Sequence, residues 1–202
     1  QHVISPEVAA SFLSPDGSTW YPWREVPRVQ TLAGINIFRL TETFSQPTAT
    51  LAMRVPYSYA YLQTFLERLQ TMKSPGVTID TIGQAPGGHT LSVIRLEPPD
   101  PATARQDRPT IVMYAREHAT EHDSSWVVEG VLDWLLSEVP VAVTARQQYD
   151  WLLIPLLDPD EAVKARHCSA NIFTAVDPIR PEALAYARYL VNWVDAGHRI
   201  EC

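Results

Sequence analysis

Pro109-Thr-Ile-Val-Met-Tyr-Ala-Arg-Glu-His118-Ala-Thr-Glu121-His-Asp-Ser-Ser-Trp-Val-Val-Glu-Gly-Val-Leu-Asp-Trp-Leu-Leu136 is the stretch on which the fold turns. Thr110, Ile111, Val112, Met113 and Tyr114 form an apolar, partly β-branched run behind a proline, too short for a helix, and so predict a buried strand. Trp126, Val127, Gly130, Val131, Trp134 and Leu135 recur at helical spacing, with Asp123 or Ser124 placed to cap that helix. Between strand and helix lies a short loop carrying His118 and Glu121. In an open α/β sheet, ligands bind in the crevice beyond the carboxyl ends of the strands, which is where this loop falls.

Working outward, Trp151-Leu-Leu-Ile-Pro-Leu-Leu157 predicts a second strand buried on both faces, preceded by a short helix near 144–149. Pro181 opens a last helix in which Leu184, Ala187, Leu190, Val191 and Val194 share a face. On the amino-terminal side, Tyr61, Leu62, Phe65, Leu66 and Leu69 mark a helix over 57–72. Strands at 77–82 and 91–96, joined across Pro86-Gly87-Gly88, predict an antiparallel pair. Residues 1–55 instead carry short alternating segments at 28–32, 35–40 and 48–55, broken by Pro22, Pro27, Gly34 and Pro47. The expected fold class is α/β: a mixed, partly parallel sheet flanked by helices over 56–202, preceded by a small β-rich domain over 1–55.

The chain has 202 residues, 46% of them apolar, enough to bury a normal core. Its formal net charge of -7 argues against nucleic acid or an anionic membrane as partner, because both reward a basic face. No apolar run approaches the roughly 18–20 residues that span a bilayer. Cys168 and Cys202 form no Cys-x-x-Cys or Cys/His cluster, which suits two free thiols in a reducing compartment and makes a cytoplasmic location the expectation. The first residue is Gln1 rather than Met, so a trimmed or processed start is expected, and a removed secretion signal stays open.

Zinc accepts imidazole nitrogen and carboxylate oxygen, and a catalytic site uses three protein ligands with one position left for water. His118 and Glu121, three residues apart, are typed and spaced to supply two of them. His118-Ala-Thr-Glu121-His122 also fits an H-x-x-E-H pattern in which both histidines bind zinc, but that arrangement requires a helix through 118–122, where the run before it and the caps after it predict a loop. His122, His89 and His2 read as ordinary surface or loop histidines, and His167 and His198 as local ones.

Three motifs in order resemble the zinc carboxypeptidases, most closely their cytosolic branch, which trims glutamate from protein tails. Arg116-Glu-His118-Ala-Thr-Glu121-His-Asp-Ser-Ser125-Trp126-Val127 is similar to that branch's R-x-H-P-G-E-x-x-x-S-W-V, with Ala119-Thr120 in place of Pro-Gly. Leu51-Ala-Met-Arg-Val-Pro56-Tyr57-Ser58-Tyr59 resembles F-A-x-x-x-P-Y-[ST]-Y, where a leading β-sandwich passes into the catalytic domain. Ile154-Pro155-Leu-Leu-Asp158-Pro159-Asp160 resembles V-P-M-x-N-P-D-G.

The resemblance implies a hydrolase that removes residues from the carboxyl end of a peptide or protein, using one zinc ion, with His118 and Glu121 as its first two ligands. It implies Arg166 as the group that polarises the scissile carbonyl. The family's substrate-holding Asn-Arg pair has no recognisable match, and Asn171 stands nearest to it as a substrate contact. In the family the third ligand and the general-base Glu follow the helix corresponding to 181–196, whereas this sequence stops at Cys202; the expectation is therefore a fragment, inactive and weak in zinc binding by itself. Two other readings stay open. One is a non-catalytic module on the same scaffold, and the other is a zinc amidohydrolase of the desuccinylase or aspartoacylase type, which also uses His-x-x-Glu.

Overall fold

The computed structural model describes residues 8–13, 20–26, 28–32, 35–38, 43, 47–52, 54–98, 108–164 and 180–201. The chain divides into two compact units, 1–56 and 57–202.

The first unit contains β1 (Val8–Leu13), β2 (Trp20–Val26), β3 (Arg28–Leu32), β4 (Ile35–Phe38) and β5 (Leu51–Ala52). β1 lies between β2 and β5 in an antiparallel sheet, and β3 pairs with β4 as a hairpin. β1 and β2 went unread in the sequence for different reasons. Val8-Ala-Ala-Ser-Phe-Leu13 lacks β-branched weight, and Pro22 looks like a breaker. Yet Pro22 sits opposite Ser11 on an edge strand, next to a register shift between Ala9 and Ser11, the kind of position where a missing N–H leaves no ladder bond unmade. The predicted strand over 48–55 shrinks to Leu51–Ala52.

The second unit runs α1 (Tyr59–Met72), β6 (Val77–Gln84), β7 (Thr90–Leu96), β8 (Pro109–Tyr114), α2 (His122–Leu135), α3 (Pro140–Gln148), β9 (Asp150–Ile154), α4 (Pro159–Val163), α5 (Pro181–Asp195) and β10 (Arg199–Ile200). Its five strands form one mixed sheet in the order β10-β8-β9-β7-β6. β10, β8 and β9 are parallel, β7 runs antiparallel to β9, and β6, antiparallel to β7, returns to the direction of the first three. This is the partly parallel α/β sheet that the periodicity predicts.

Helices cover both faces. Alternation along β7 sends Ile94 and Leu96 into one core with Leu62, Phe65, Leu66 and Leu69 of α1 and Val128, Leu132 and Leu135 of α2. It sends Leu91 and Val93 into the other core, with Leu152 and Ile154 of β9 and Tyr186 and Trp193 of α5. Leu132, Leu135, Leu152 and Leu153 are fully buried, each stabilising the fold by roughly 2 kcal/mol relative to an exposed position.

Two helices turn a different face inward from the one their apolar spacing suggests. In α5 the predicted stripe is largely solvent-facing, with Leu184, Val191 and Val194 exposed. Ala183, Tyr186 and Trp193 face the sheet instead, because the Tyr186 hydroxyl donates to Leu156 O at 3.2 Å and Trp193 Nε1 donates to Thr110 Oγ1 at 3.0 Å. A large ring with a polar tip thus finds both a core and a partner. In α2, Val127 and Trp134 are exposed and Ser125, Val128, Glu129, Leu132 and Leu135 are buried. Ser125 Oγ reaches Pro155 O at 2.7 Å, and Glu129 Oε1 accepts from Tyr61 Oη at 2.9 Å and Arg68 Nη2 at 3.3 Å, so the Ser125 hydroxyl and one carboxylate oxygen of Glu129 are partnered inside.

Candidate metal centre at the carboxyl edge of the sheet

β8 and β9 end side by side, and their pairing continues past the strands: Ala115 N donates to Ile154 O at 2.9 Å, and Leu157 N to Ala115 O at 3.0 Å. The loops that follow are therefore held together at the carboxyl edge of the sheet. One carries His118 and Glu121, and the other carries Asp158 and Asp160.

The first loop is a tight turn, not a helix, because Arg116 adopts a left-handed backbone with φ 63° and α2 begins only at His122. Neither Asp123 nor Ser124 caps α2 in the predicted way. Glu121 occupies the cap position, and the Ser124 hydroxyl is used inside the turn, donating to Glu121 O at 2.7 Å and accepting from Arg116 N at 3.1 Å. The helix through 118–122 that a two-histidine H-x-x-E-H site would need is absent. His122 Nδ1 accepts the Tyr57 amide at 2.9 Å.

Arg116 is 1% exposed. Its Nε donates to Ala119 O at 2.7 Å, its Nη2 donates to the same carbonyl, and its Nη1 donates to Tyr57 O at 2.9 Å. Burial brings this guanidinium down to about 10, against the neighbouring Tyr57, Asp158 and Glu121, so it stays ionised at neutral pH. A buried cation here organises the turn around itself. The sequence places Arg116 inside a motif but does not reveal this use.

The turn brings His118 and Glu121 together. His118 Nδ1 and Glu121 Oε1 lie 3.1 Å apart, with side chains 43% and 48% exposed. Two ligands at about 2.1 Å from a tetrahedral ion stand roughly 3.4 Å apart, so this imidazole and carboxylate fit one zinc ion as neighbouring ligands. Among the described residues no group of three His, Cys, Asp or Glu side chains comes together to hold a metal. Arg166, Asn171 and His167 lie outside the described residues.

His198 is at the other edge of the sheet. It stacks on Trp193 with ring centroids 3.8 Å apart, just before β10, whose Arg199 pairs with Pro109 at the start of β8. Six residues of strand at about 3.3 Å each, roughly 20 Å, separate that edge from the His118 turn.

The second loop is built by two buried acids. Asp158 caps α4, accepting the Glu161 amide at 3.0 Å, and pairs with Arg180, which also reaches Glu182 at 3.2 Å. Burial raises the Asp158 carboxyl overall, against the pull of the Glu161 amide and Arg180. Asp160 ties the loop to the β6–β7 hairpin by accepting from Gly87 N at 2.6 Å and meeting His89 Nδ1 at 2.6 Å. His89, read in the sequence as an ordinary loop residue, is thus a structural partner of the Asp158-Pro159-Asp160 motif, and its ring stands edge-on to Tyr59 at 4.7 Å.

Two predictions follow from Asp160. A Cβ on Gly87 would stand 2.7 Å from Asp160 Oδ1 and 2.9 Å from its Cγ. That carboxylate is buried and doubly bonded, so Gly87→Ala should cost about 1–3 kcal/mol, read as a lower midpoint in urea. The second concerns pH. Burial pushes the Asp160 carboxyl up, but the His89 hydrogen bond, the Gly87 amide and the charge of His89 hold it below its ordinary value. A depressed carboxylate stabilises the fold above its unfolded pKa, and this is lost as pH falls through the folded pKa, from roughly pH 4 downward. Asp158, raised overall, acts with the opposite sign, so the difference between wild type and Asp160→Asn at each pH isolates Asp160. That difference in melting temperature should be largest at neutral pH and shrink on acidification; a pH-independent gap would show that its ionisation does not matter.

The model of the family described as zinc carboxypeptidase matches residues 62–170, more than half of the chain. The chain belongs to the zinc carboxypeptidase family. Human cytosolic carboxypeptidase 4 is 30% identical to it over 144 residues, covering 66% of this chain and 13% of the relative. Chicken (Gallus gallus) cytosolic carboxypeptidase 1 is 28% identical, covering 66% and 12%. Zebrafish (Danio rerio) cytosolic carboxypeptidase 2 is 29% identical, covering 67% and 20%. Among solved structures, a metallo-carboxypeptidase from Burkholderia cenocepacia superposes with a TM-score of 0.70 at 23% identity, over 92% of this chain and 49% of that one. One from Pseudomonas aeruginosa, in complex with (2-guanidinoethylmercapto)succinic acid, gives 0.69 at 18%, over 96% and 49%.

This zinc carboxypeptidase chain therefore spans about an eighth of the first two relatives and half of the solved structures. The amidohydrolase and binding-module readings are not favoured by these matches. Zinc and peptide or protein substrates are general to the family, and the relatives named above are cytosolic carboxypeptidases. No helix among the described residues is long and apolar enough to cross a membrane.

Proposed function

We propose that the protein carrying this chain is a zinc-dependent metallocarboxypeptidase that hydrolyses the carboxyl-terminal peptide bond of a peptide or protein in the cytoplasm. The observation that carries the reading is the pairing of His118 Nδ1 and Glu121 Oε1 at 3.1 Å, on a turn at the carboxyl edge of a parallel pair of strands, in a chain of this family. The donor set is the one catalytic zinc accepts, and both side chains reach solvent, where a substrate must arrive. When bound, zinc supplies a Lewis acid that makes water a nucleophile at neutral pH and polarises a carbonyl oxygen.

The residues of this chain contribute orientation and charge. His118 and Glu121 hold the ion. Arg166 is proposed to stabilise the oxyanion that develops on the scissile carbonyl, a role that suits a fixed cation, and Asn171 is proposed to contact the substrate's terminal carboxylate. Hydrolysis also needs a third ligand and a general base, and among the described residues no third His, Cys, Asp or Glu joins His118 and Glu121. Glutamate is the first side chain to try at the cleaved end, because the resemblance is to the branch that trims it.

The test is to assay the full-length, zinc-loaded protein with peptides ending in glutamate and in aliphatic residues, following release of the last amino acid. Release of single carboxyl-terminal residues, abolished by a chelator and restored by zinc, is the expected result. A zinc-loaded protein inert toward all of them would overturn the reading, and deacylation of N-acyl amino acids would replace it with the amidohydrolase.

A further inference from the structure

The turn that carries His118 and Glu121 is fastened on both flanks to a single residue, Tyr57, 59 positions before Arg116 and 65 before His122. Before the ligand pair, Arg116 Nη1 donates to Tyr57 O at 2.9 Å while its Nε holds Ala119 O, between the two ligands, at 2.7 Å. After the pair, His122 Nδ1 accepts from Tyr57 N at 2.9 Å. Both backbone polar groups of Tyr57 thus serve the turn. Tyr57 itself is fully buried, its ring edge-on to Trp126 of α2 at 4.8 Å and to Tyr61 of α1 at 4.9 Å. The fastening point is therefore held in the core by two helices.

We propose that Tyr57, Arg116 and His122 form a latch that sets the separation of His118 and Glu121 before any metal arrives, with Arg116 and His122 as positioning residues for the ion. The inference rests on the zinc reading above for its consequence, but the latch itself consists of hydrogen bonds within the protein. A turn with φ 63° at Arg116 would otherwise sample other backbone states; the latch removes that freedom, so less conformational entropy is lost when an ion binds. It also gives His122 a role that is neither ligand nor surface residue. Its Nδ1 is an acceptor, which puts the proton of the neutral ring on Nε2.

The geometry names its own conservative replacement. Asparagine places a side-chain oxygen near the position of histidine Nδ1 and can accept the Tyr57 amide, whereas leucine fills similar space and cannot. The experiment uses the full-length protein as wild type, His122→Leu, His122→Asn and Arg116→Lys. Two quantities are read: zinc affinity by chelator competition, and amide hydrogen exchange across 116–124 in the metal-free protein.

His122→Leu should weaken zinc binding about 10- to 100-fold, the usual effect of removing a group that orients a ligand, and should speed exchange in the turn. His122→Asn should restore both toward wild type. Arg116→Lys, a point charge that cannot bridge the Ala119 and Tyr57 carbonyls together, should fail in the same way as leucine, and it decides the matter if His122→Leu does not fold. Unchanged affinity and exchange in His122→Leu or Arg116→Lys would overturn the latch. So would a folded His122→Asn as impaired as leucine, since the imidazole itself would then be required. A wild-type protein that takes up no zinc would overturn the metallocarboxypeptidase reading alone, and the exchange data would still decide the latch.

Discussion

Glu121→Ala in the full-length protein should lower kcat/KM by about 10³-fold or more while leaving the fold intact. The two halves of this expectation have separate causes. The Glu121 carboxylate is half exposed and pairs with the similarly exposed His118, so its loss should change stability by no more than about 0.5 kcal/mol. The structural work at this position is done by its backbone, whose carbonyl accepts from Ser124 Oγ, and alanine keeps that carbonyl. Chemistry is different. Removing one of two anchored ligands loosens the ion that polarises the carbonyl, and several kcal/mol of transition-state stabilisation go with it, at 1.36 kcal/mol per factor of ten. Melting temperature, bound zinc and turnover should be measured on one preparation. Near-wild-type turnover in Glu121→Ala would remove this residue from the metal site.

Arg116→Met should have the opposite signature, a large loss of stability. The guanidinium is 1% exposed and is the donor to two carbonyls, Ala119 O and Tyr57 O. Methionine fills comparable space and donates nothing, leaving both acceptors in a buried site at roughly 1–3 kcal/mol each. Relief of burying a charge offsets part of this, since burial already brings Arg116 down to about 10. A net loss of about 3 kcal/mol corresponds to a fall of roughly 6–12 °C in melting temperature for a unit of this size. A melting temperature within about 1 °C of wild type would mean that the carbonyls find water in its place.

Much of the second unit was legible because its signals are local. The β8 run, the α1 stripe and the Pro-Gly-Gly hairpin each depend on neighbours within a dozen residues, and each appears where its periodicity puts it. His118 and Glu121 were legible for the same reason, since three residues of separation in a tight turn bring them within 3.1 Å. Strands β1 and β2 were not, because Pro22 is tolerated only by virtue of its edge position, which no window of sequence displays.

The sequence by itself determined the α/β alternation, the turn at the end of β8 and the pair of zinc-suited side chains on it. All of these follow from residue type and short-range spacing. Only the tertiary structure decided which stripe of each helix is buried. In α5, Tyr186 and Trp193 displace Leu184, Val191 and Val194 from the sheet because their polar tips meet Leu156 O and Thr110 Oγ1. It also separated the histidines that sequence leaves alike: His198 lies at the amino edge of the sheet, His89 on Asp160, and His122 on the Tyr57 amide. The hydrogen-bond partners of His122 and His89 are 65 and 71 positions away in the chain, and a hydrogen bond is specified by where two groups end up in space, which hydrophobic periodicity does not encode.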